Sequence, residues 1–206
     1  SFNFIADRDL TLINSLNAKY KDILVENGSI DLTKKKNIEI KGKFNSQFNL
    51  NESQLKQFFI KENFFFKNKI ETEGSVLHEF DIIINNNFKI IDYNFKSSGK
   101  ILKSKIILKN IFKNELIDKP IKKILFEEIK LKINFNKSNK NLLMLDGFYS
   151  TDGSNYKKFK IKNNLKKNNQ NYLIDLNLSE NFFFDVINFR IDAKKTTNIK
   201  SEIGIK

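Results

Sequence analysis

Cysteine is absent from the 206-residue chain, which excludes disulfides and thiolate metal sites and leaves the redox compartment open. Proline occurs once, at Pro120, and tryptophan not at all. The two arginines, Arg8 and Arg190, are too few for a surface reading bases or gripping phosphates bidentately. No run of about eighteen apolar residues exists, so no helix here is expected to span a bilayer. Glycine is also scarce, with 7 residues, and none sits in a phosphate-cradling or dinucleotide-binding loop pattern.

The single histidine, His78, stands beside Glu79, and no local spacing gathers partners for a triad or a zinc site. It is expected to be a solvated or hydrogen-bonded surface residue. Glu127 and Glu128 are adjacent, so in an extended segment they point to opposite faces and do not suit two carboxylates acting on one bond. Asp146-Gly147 and Asp152-Gly153 read as turns, without the spacing of a calcium loop. The expectation is therefore no enzyme, no metal and no cofactor.

What the chain has is alternation. In Asn37–Leu50, the residues Ile38, Ile40, Gly42, Phe44, Ser46, Phe48 and Leu50 share one parity, and every residue of the other parity is polar or charged. A period of two reads as one β-strand with an apolar and a polar face, roughly 45 Å long at about 3.4 Å per residue. A second such stretch runs from Phe64 to Asn85, as one strand or as a pair bent at Gly74. A third carries Ile129, Leu131, Ile133 and Phe135 against Lys130, Lys132 and Asn134.

Other segments are read in the same way. Phe2–Leu16 is apolar without a clear period. Tyr20–Val25 and Ile30–Thr33 are strands joined by a hairpin at Glu26-Asn27-Gly28-Ser29, since Asn-Gly suits a type I′ turn. Asn51 with Gln54 three residues on is a capping box for a short helix over about 52–62. Asn85–Asn87 is a turn, and Phe88–Phe95 a strand ending at Ser97-Ser98-Gly99. Ile101–Leu108 follows as a strand and Ile111–Asp118 as a second short helix stopped before Pro120. Leu143–Tyr149, Phe159–Leu165, Tyr172–Leu178 and a final edge at Ile199–Ile205 complete a meander. Glu62–Phe66 and Glu180–Phe184 repeat the same five residues, read as a coincidence of a Phe- and Asn-rich chain.

The expected fold is all-β with one or two short helices. Long antiparallel strands form a single elongated segment over residues 1–206. The first residue is not Met, so the chain is expected to be a fragment of a longer protein. The net charge of +13 is read as largely the lysine usage of AT-rich coding on a solvated face, and no nucleic-acid partner is expected.

Strands this long pose a problem of cover. Burying a Phe or Ile stabilises by roughly 1.5–3 kcal/mol, and two short helices cannot blanket the apolar faces. The strands could close on their own side chains as a structural or adhesive β-protein. They could face lipid as an outer-membrane barrel, or curl into a half-open groove occupied by acyl chains. Phe residues scattered along the faces, rather than gathered in girdles, argue against the barrel.

The run Val25-Glu26-Asn27-Gly28-Ser29-Ile30-Asp31-Leu32, followed by Ile38-Glu39-Ile40-Lys41-Gly42-Lys43-Phe44, resembles the AsmA-like family of TamB- and YhdP-type proteins. The resemblance implies a long, curved, taco-like β-sheet lined with hydrophobic residues in the periplasm. It also implies an inner-membrane anchor outside this fragment and a part in moving phospholipids between inner and outer membrane. On that reading the groove lining that holds phospholipid acyl chains is Ile38, Ile40, Phe44, Phe48, Leu50, Phe66, Ile70, Val76, Phe80, Ile82, Ile84, Ile129, Leu131, Ile133 and Phe135. Lys41, Lys43, Lys130 and Lys132 would face water.

Overall fold

The computed structural model describes residues 1–58, 68–113, 120–138, 141–166, 169–178, 182–184, 189–191 and 197–205. The described chain is all-β. Eleven of its strands form one antiparallel sheet, in the order β1 (Asn3–Ala6), β2 (Leu10–Tyr20), β3 (Ile23–Lys34), β4 (Ile38–Asn51), β5 (Lys69–Ile84), β6 (Ile90–Phe112), β7 (Ile121–Asn136), β8 (Asn141–Ser150), β9 (Lys157–Lys166), β10 (Asn169–Leu178) and β13 (Thr197–Ile205). Between the last two in sequence, β11 (Phe182–Phe184) and β12 (Phe189–Ile191) pair as a separate ribbon. The sheet is curled but not closed, because β1 and β13 are its two edges and do not meet.

Substantial contacts among the described elements join only strands paired in a sheet, or the helix α1 (Glu52–Phe58) to β4 and β5. No described layer lies across the sheet. The exposed area is accordingly 14836 Å², where a compact protein of 24.2 kDa shows about 10,000 Å².

The strands read from alternation are present. β4 follows the Asn37–Leu50 pattern, and β5 runs unbroken through Gly74. The irregularity there lies across the ladder: Glu73 pairs with Lys103 and Gly74 with Ile101, so Leu102 of β6 is the extra residue. The capping box is also present, since Gln54 N–H donates to Asn51 Oδ1 at 3.2 Å and Asn51 N–H donates to Gln54 Oε1 at 2.7 Å. The remainder of the expected helix, residues 59–62, lies outside the described residues, as do Phe64–Phe66 and most of the second expected helix.

Three expected turns are not turns. Asn27-Gly28 is a bulge inside β3, and the hairpin instead turns at Lys21-Asp22. Asn27 has the positive φ of 52° that a turn would require, but the ladder to β4 resumes on both sides of it. A Cβ on Gly28 would stand 2.9 Å from Leu16 Cβ, so the glycine serves a close approach of β2. Ser97-Ser98-Gly99 lies in the middle of β6, which at 23 residues joins two expected strands into one and absorbs Ile111 and Phe112 of the expected second helix. Asp146-Gly147 is likewise inside β8, where a Cβ on Gly147 would meet Ile129 Cα at 2.8 Å. Asp152-Gly153 does turn: Gly153 has φ +91°, and Asp152 Oδ1 accepts from Ser154 N–H at 2.8 Å and Asn155 N–H at 3.0 Å.

Candidate functional site

Directly opposed residues in an antiparallel ladder share a face, so register alone sorts the side chains. From β4 to β5 the opposed pairs are Ile38–Ile84, Ile40–Ile82, Gly42–Phe80, Phe44–His78, Ser46–Val76 and Phe48–Gly74. From β5 the same face continues through Phe95, Ser97, Gly99, Ile101 and Ile106 of β6 to Phe135, Ile133, Leu131, Ile129 and Ile124 of β7. Fourteen of the fifteen residues expected to line a groove therefore lie on one face, and the fifteenth, Phe66, falls outside the described residues.

The four buried apolar residues, Leu50, Val76, Ile129 and Phe159, all belong to that face. With no layer above it, the face that buries more side chain is the one toward which the sheet curls. Ring contacts agree. Phe126 of β7 and Phe159 of β9 have centroids 5.4 Å apart, although strands two places apart in a flat sheet are separated by roughly 9.5 Å. Tyr149 of β8 packs edge-on against Phe159 at 6.3 Å, and its hydroxyl donates to the Asn177 carbonyl of β10 at 3.0 Å. Most of the other lining residues are half-buried, and Phe135, near the rim, is 37% exposed.

Glycine sets how closely the apolar face can pack. The Phe80 ring lies over Gly42, where a Cβ would come within 2.2 Å of it. At Gly99 the obstacle is backbone, with Ser75 O at 2.2 Å and Val76 Cα at 2.7 Å from a Cβ.

His78 lies on the apolar face, contrary to the solvated position that its neighbour Glu79 suggests. Its even number already places it with Val76 and Phe80. The ring sits between Phe44 (4.8 Å between centroids) and Phe95 (6.0 Å). Ser46 Oγ lies 2.8 Å from Nε2 and Ser97 Oγ 2.8 Å from Nδ1. In the tautomer protonated at Nε2, Ser46 accepts from Nε2–H and donates to the Val76 carbonyl at 3.2 Å, and Ser97 donates to Nδ1. A neutral ring satisfies every partner, and burial holds His78 below the ordinary histidine pKa.

Phe126 and Ile124 were not among the expected lining residues because the parity of the chain flips at Glu127-Glu128. Glu128 takes φ 52°, and the ladder to β8 shifts between Glu127 and Lys130. The flip keeps the even-numbered Phe126 on the face of the odd-numbered Ile129. It would be legible as an alternation that changes phase across two acids.

The opposite face is polar. Lys43 pairs with Glu79 at 3.1 Å, Lys105 with Glu71 at 3.7 Å and Lys41 with Asp81 at 4.0 Å. A cleft of 490 Å³ on it is lined by Glu71, Glu73, Lys103, Lys105, Glu127 and Tyr156, among others. The hydrogen bond from Tyr156 to Glu127 pushes the phenol pKa up. Among the described residues no group of three His, Asp or Glu could hold a metal ion, and no helix is long and apolar enough to cross a membrane. No protein-family description, curated protein or solved structure matches the chain.

Proposed function

We propose that the curled apolar face is a trough for the acyl chains of phospholipid, and that the chain is a non-enzymatic segment of a lipid-conducting protein of the cell envelope. The observation that carries this reading is the pairing of a continuous apolar face with the lack of any described layer upon it. Among the described residues, Ile40, Phe44 and Phe48 have only their own sheet neighbours for cover. Half-exposed Phe and Ile side chains leave part of their roughly 1.5–3 kcal/mol of burial energy unused, and an acyl chain lying along them recovers it. The polar face, with its exposed ion pairs, suits water. The AsmA-like resemblance supplies the periplasmic setting and the transport between inner and outer membrane, and both belong to the proposal. The self-filled β-protein has less support, since it needs a second apolar layer opposing the first.

The test is the lipid content of the purified native chain, read by mass spectrometry after extraction. Phospholipid is expected at near-stoichiometric amounts in the wild type. It should fall at least tenfold in Phe44→Asp or Phe80→Asp with the β-sheet circular dichroism unchanged. Lipid-free wild-type protein that also fails to take up a fluorescent phospholipid overturns the proposal.

A further inference from the structure

Charge on the polar face is held in ion pairs over one half of the sheet and is in lysine excess over the other. The ion pairs of Lys41, Lys43 and Lys105 all lie on β4–β6. On β6–β9 the register sets Lys100 opposite Lys130, and Asp146 between Lys130 and Lys160. One step along, Met144 lies between Lys132 and Lys162. Among the described residues none of these five lysines makes an ion pair, and two aspartates stand among them, Asp146 and, opposite Lys160 on β10, Asp175. Like charges directly opposite in a sheet are destabilising. With strands about 4.8 Å apart and alternate residues roughly 7 Å apart, the five lie within a Debye length or two of one another at physiological salt. Five lysines against two aspartates leave this part of the polar face with a net positive charge.

We propose that this patch, Lys100, Lys130, Lys132, Lys160 and Lys162, docks on the surface of an anionic phospholipid bilayer. Its charge complements a layer of phosphates, and a cluster of that size is what anionic leaflets attract. The apolar side chains interspersed with it, Met144 and the 43%-exposed Leu173, are aliphatic. They suit the headgroup boundary, along which lysine stems lie with their ammonium groups in water. Nucleic acid fits less well, since the patch has no arginine and no row of aromatic rings on which bases could stack. The proposal is independent of whether the opposite face carries lipid.

The experiment is cosedimentation of the chain with vesicles, one set of phosphatidylcholine alone and one with about half phosphatidylglycerol. Binding is expected only to the second set, and it should be lost as salt is raised from about 0.1 M to about 1 M. The triple variant K130Q/K132Q/K160Q should bind about a hundredfold more weakly, or about fivefold for each lysine removed. K41Q/K43Q/K105Q removes the same charge from the ion-paired half and should change binding less than a few-fold. Equal losses in the two variants, equal binding to both vesicle sets, or tighter binding to duplex DNA than to the anionic vesicles would each overturn the proposal. All six positions are on the solvent face, and circular dichroism verifies that each variant keeps its sheet.

Discussion

Near β5 the aromatic rings of the apolar face stand over glycines or beside a histidine, whereas near β8 they stand against one another. Phe44, Phe48 and Phe80 stay half-buried, with Phe80 over Gly42 and Phe48 over Gly74. Phe126, Tyr149 and Phe159 converge, and Phe159 is only 4% exposed. The strands are built alike in both places, with one apolar and one polar parity. The difference is local curvature. Where rings two strands apart meet they make a small core; elsewhere the same kind of ring stays half-buried. Close ring packing is thereby confined to one end of the surface.

The strongest way to break that contrast is to remove a ring from the core end. Phe159→Ala should cost about 3 kcal/mol or more in urea unfolding, because a closely packed ring leaves a cavity behind. Phe44→Ala, already half-exposed, should cost well under half as much and show itself mainly in lost lipid. Equal costs would mean that the two ends are one core.

Next in size is a pair of glycine variants. Gly99→Ala drives a methyl against Ser75 O and Val76 Cα, backbone that cannot swing aside, and should destabilise by about 2 kcal/mol. Gly42→Ala meets only the Phe80 ring, which can rotate away, so its cost should be smaller. Urea midpoints at constant slope decide the order.

The smallest effect is a dependence on pH. Burial lowers the His78 pKa in the folded chain, so on acidification the unfolded chain takes up the proton first. Between the ordinary histidine value of 6.5 and the lowered folded value, the unfolded state binds more protons and stability falls as pH falls. Above that window His78 contributes no pH dependence. His78→Gln should flatten the difference, seen as wild type minus variant in unfolding free energy at pH 7.5 and pH 5.5.

Much of the sheet was legible because alternation is a property of one strand by itself. Ile38–Leu50 and Ile129–Phe135 show their two faces without reference to a partner, and the Asn51–Gln54 cap is wholly local. What escaped depended on a neighbour. Asn27-Gly28 has the chemistry of a hairpin turn, yet a bulge needs the same positive φ, and only the resumption of the β3–β4 ladder tells them apart. Ser97-Ser98-Gly99 has the composition of a loop. In the sheet, Ser97 is taken up by His78 and Gly99 by the close approach of β5. Phe159 could be placed on an apolar face from its own strand, but not under Phe126 and Tyr149, since their meeting depends on curvature.

The meander itself governs how the sheet is assembled. Every strand of the large sheet except β13 hydrogen-bonds to the strand just before it in sequence, and β13 skips only the small ribbon. Most pairings therefore close over a connection of a few residues, the longer ones being residues 52–68 between β4 and β5 and residues 179–196 between β10 and β13. Adding or deleting a hairpin leaves all the other registers unchanged, as in arrays whose units touch only their neighbours. The width of such a sheet can change by whole hairpins, each added or lost without disturbing the rest.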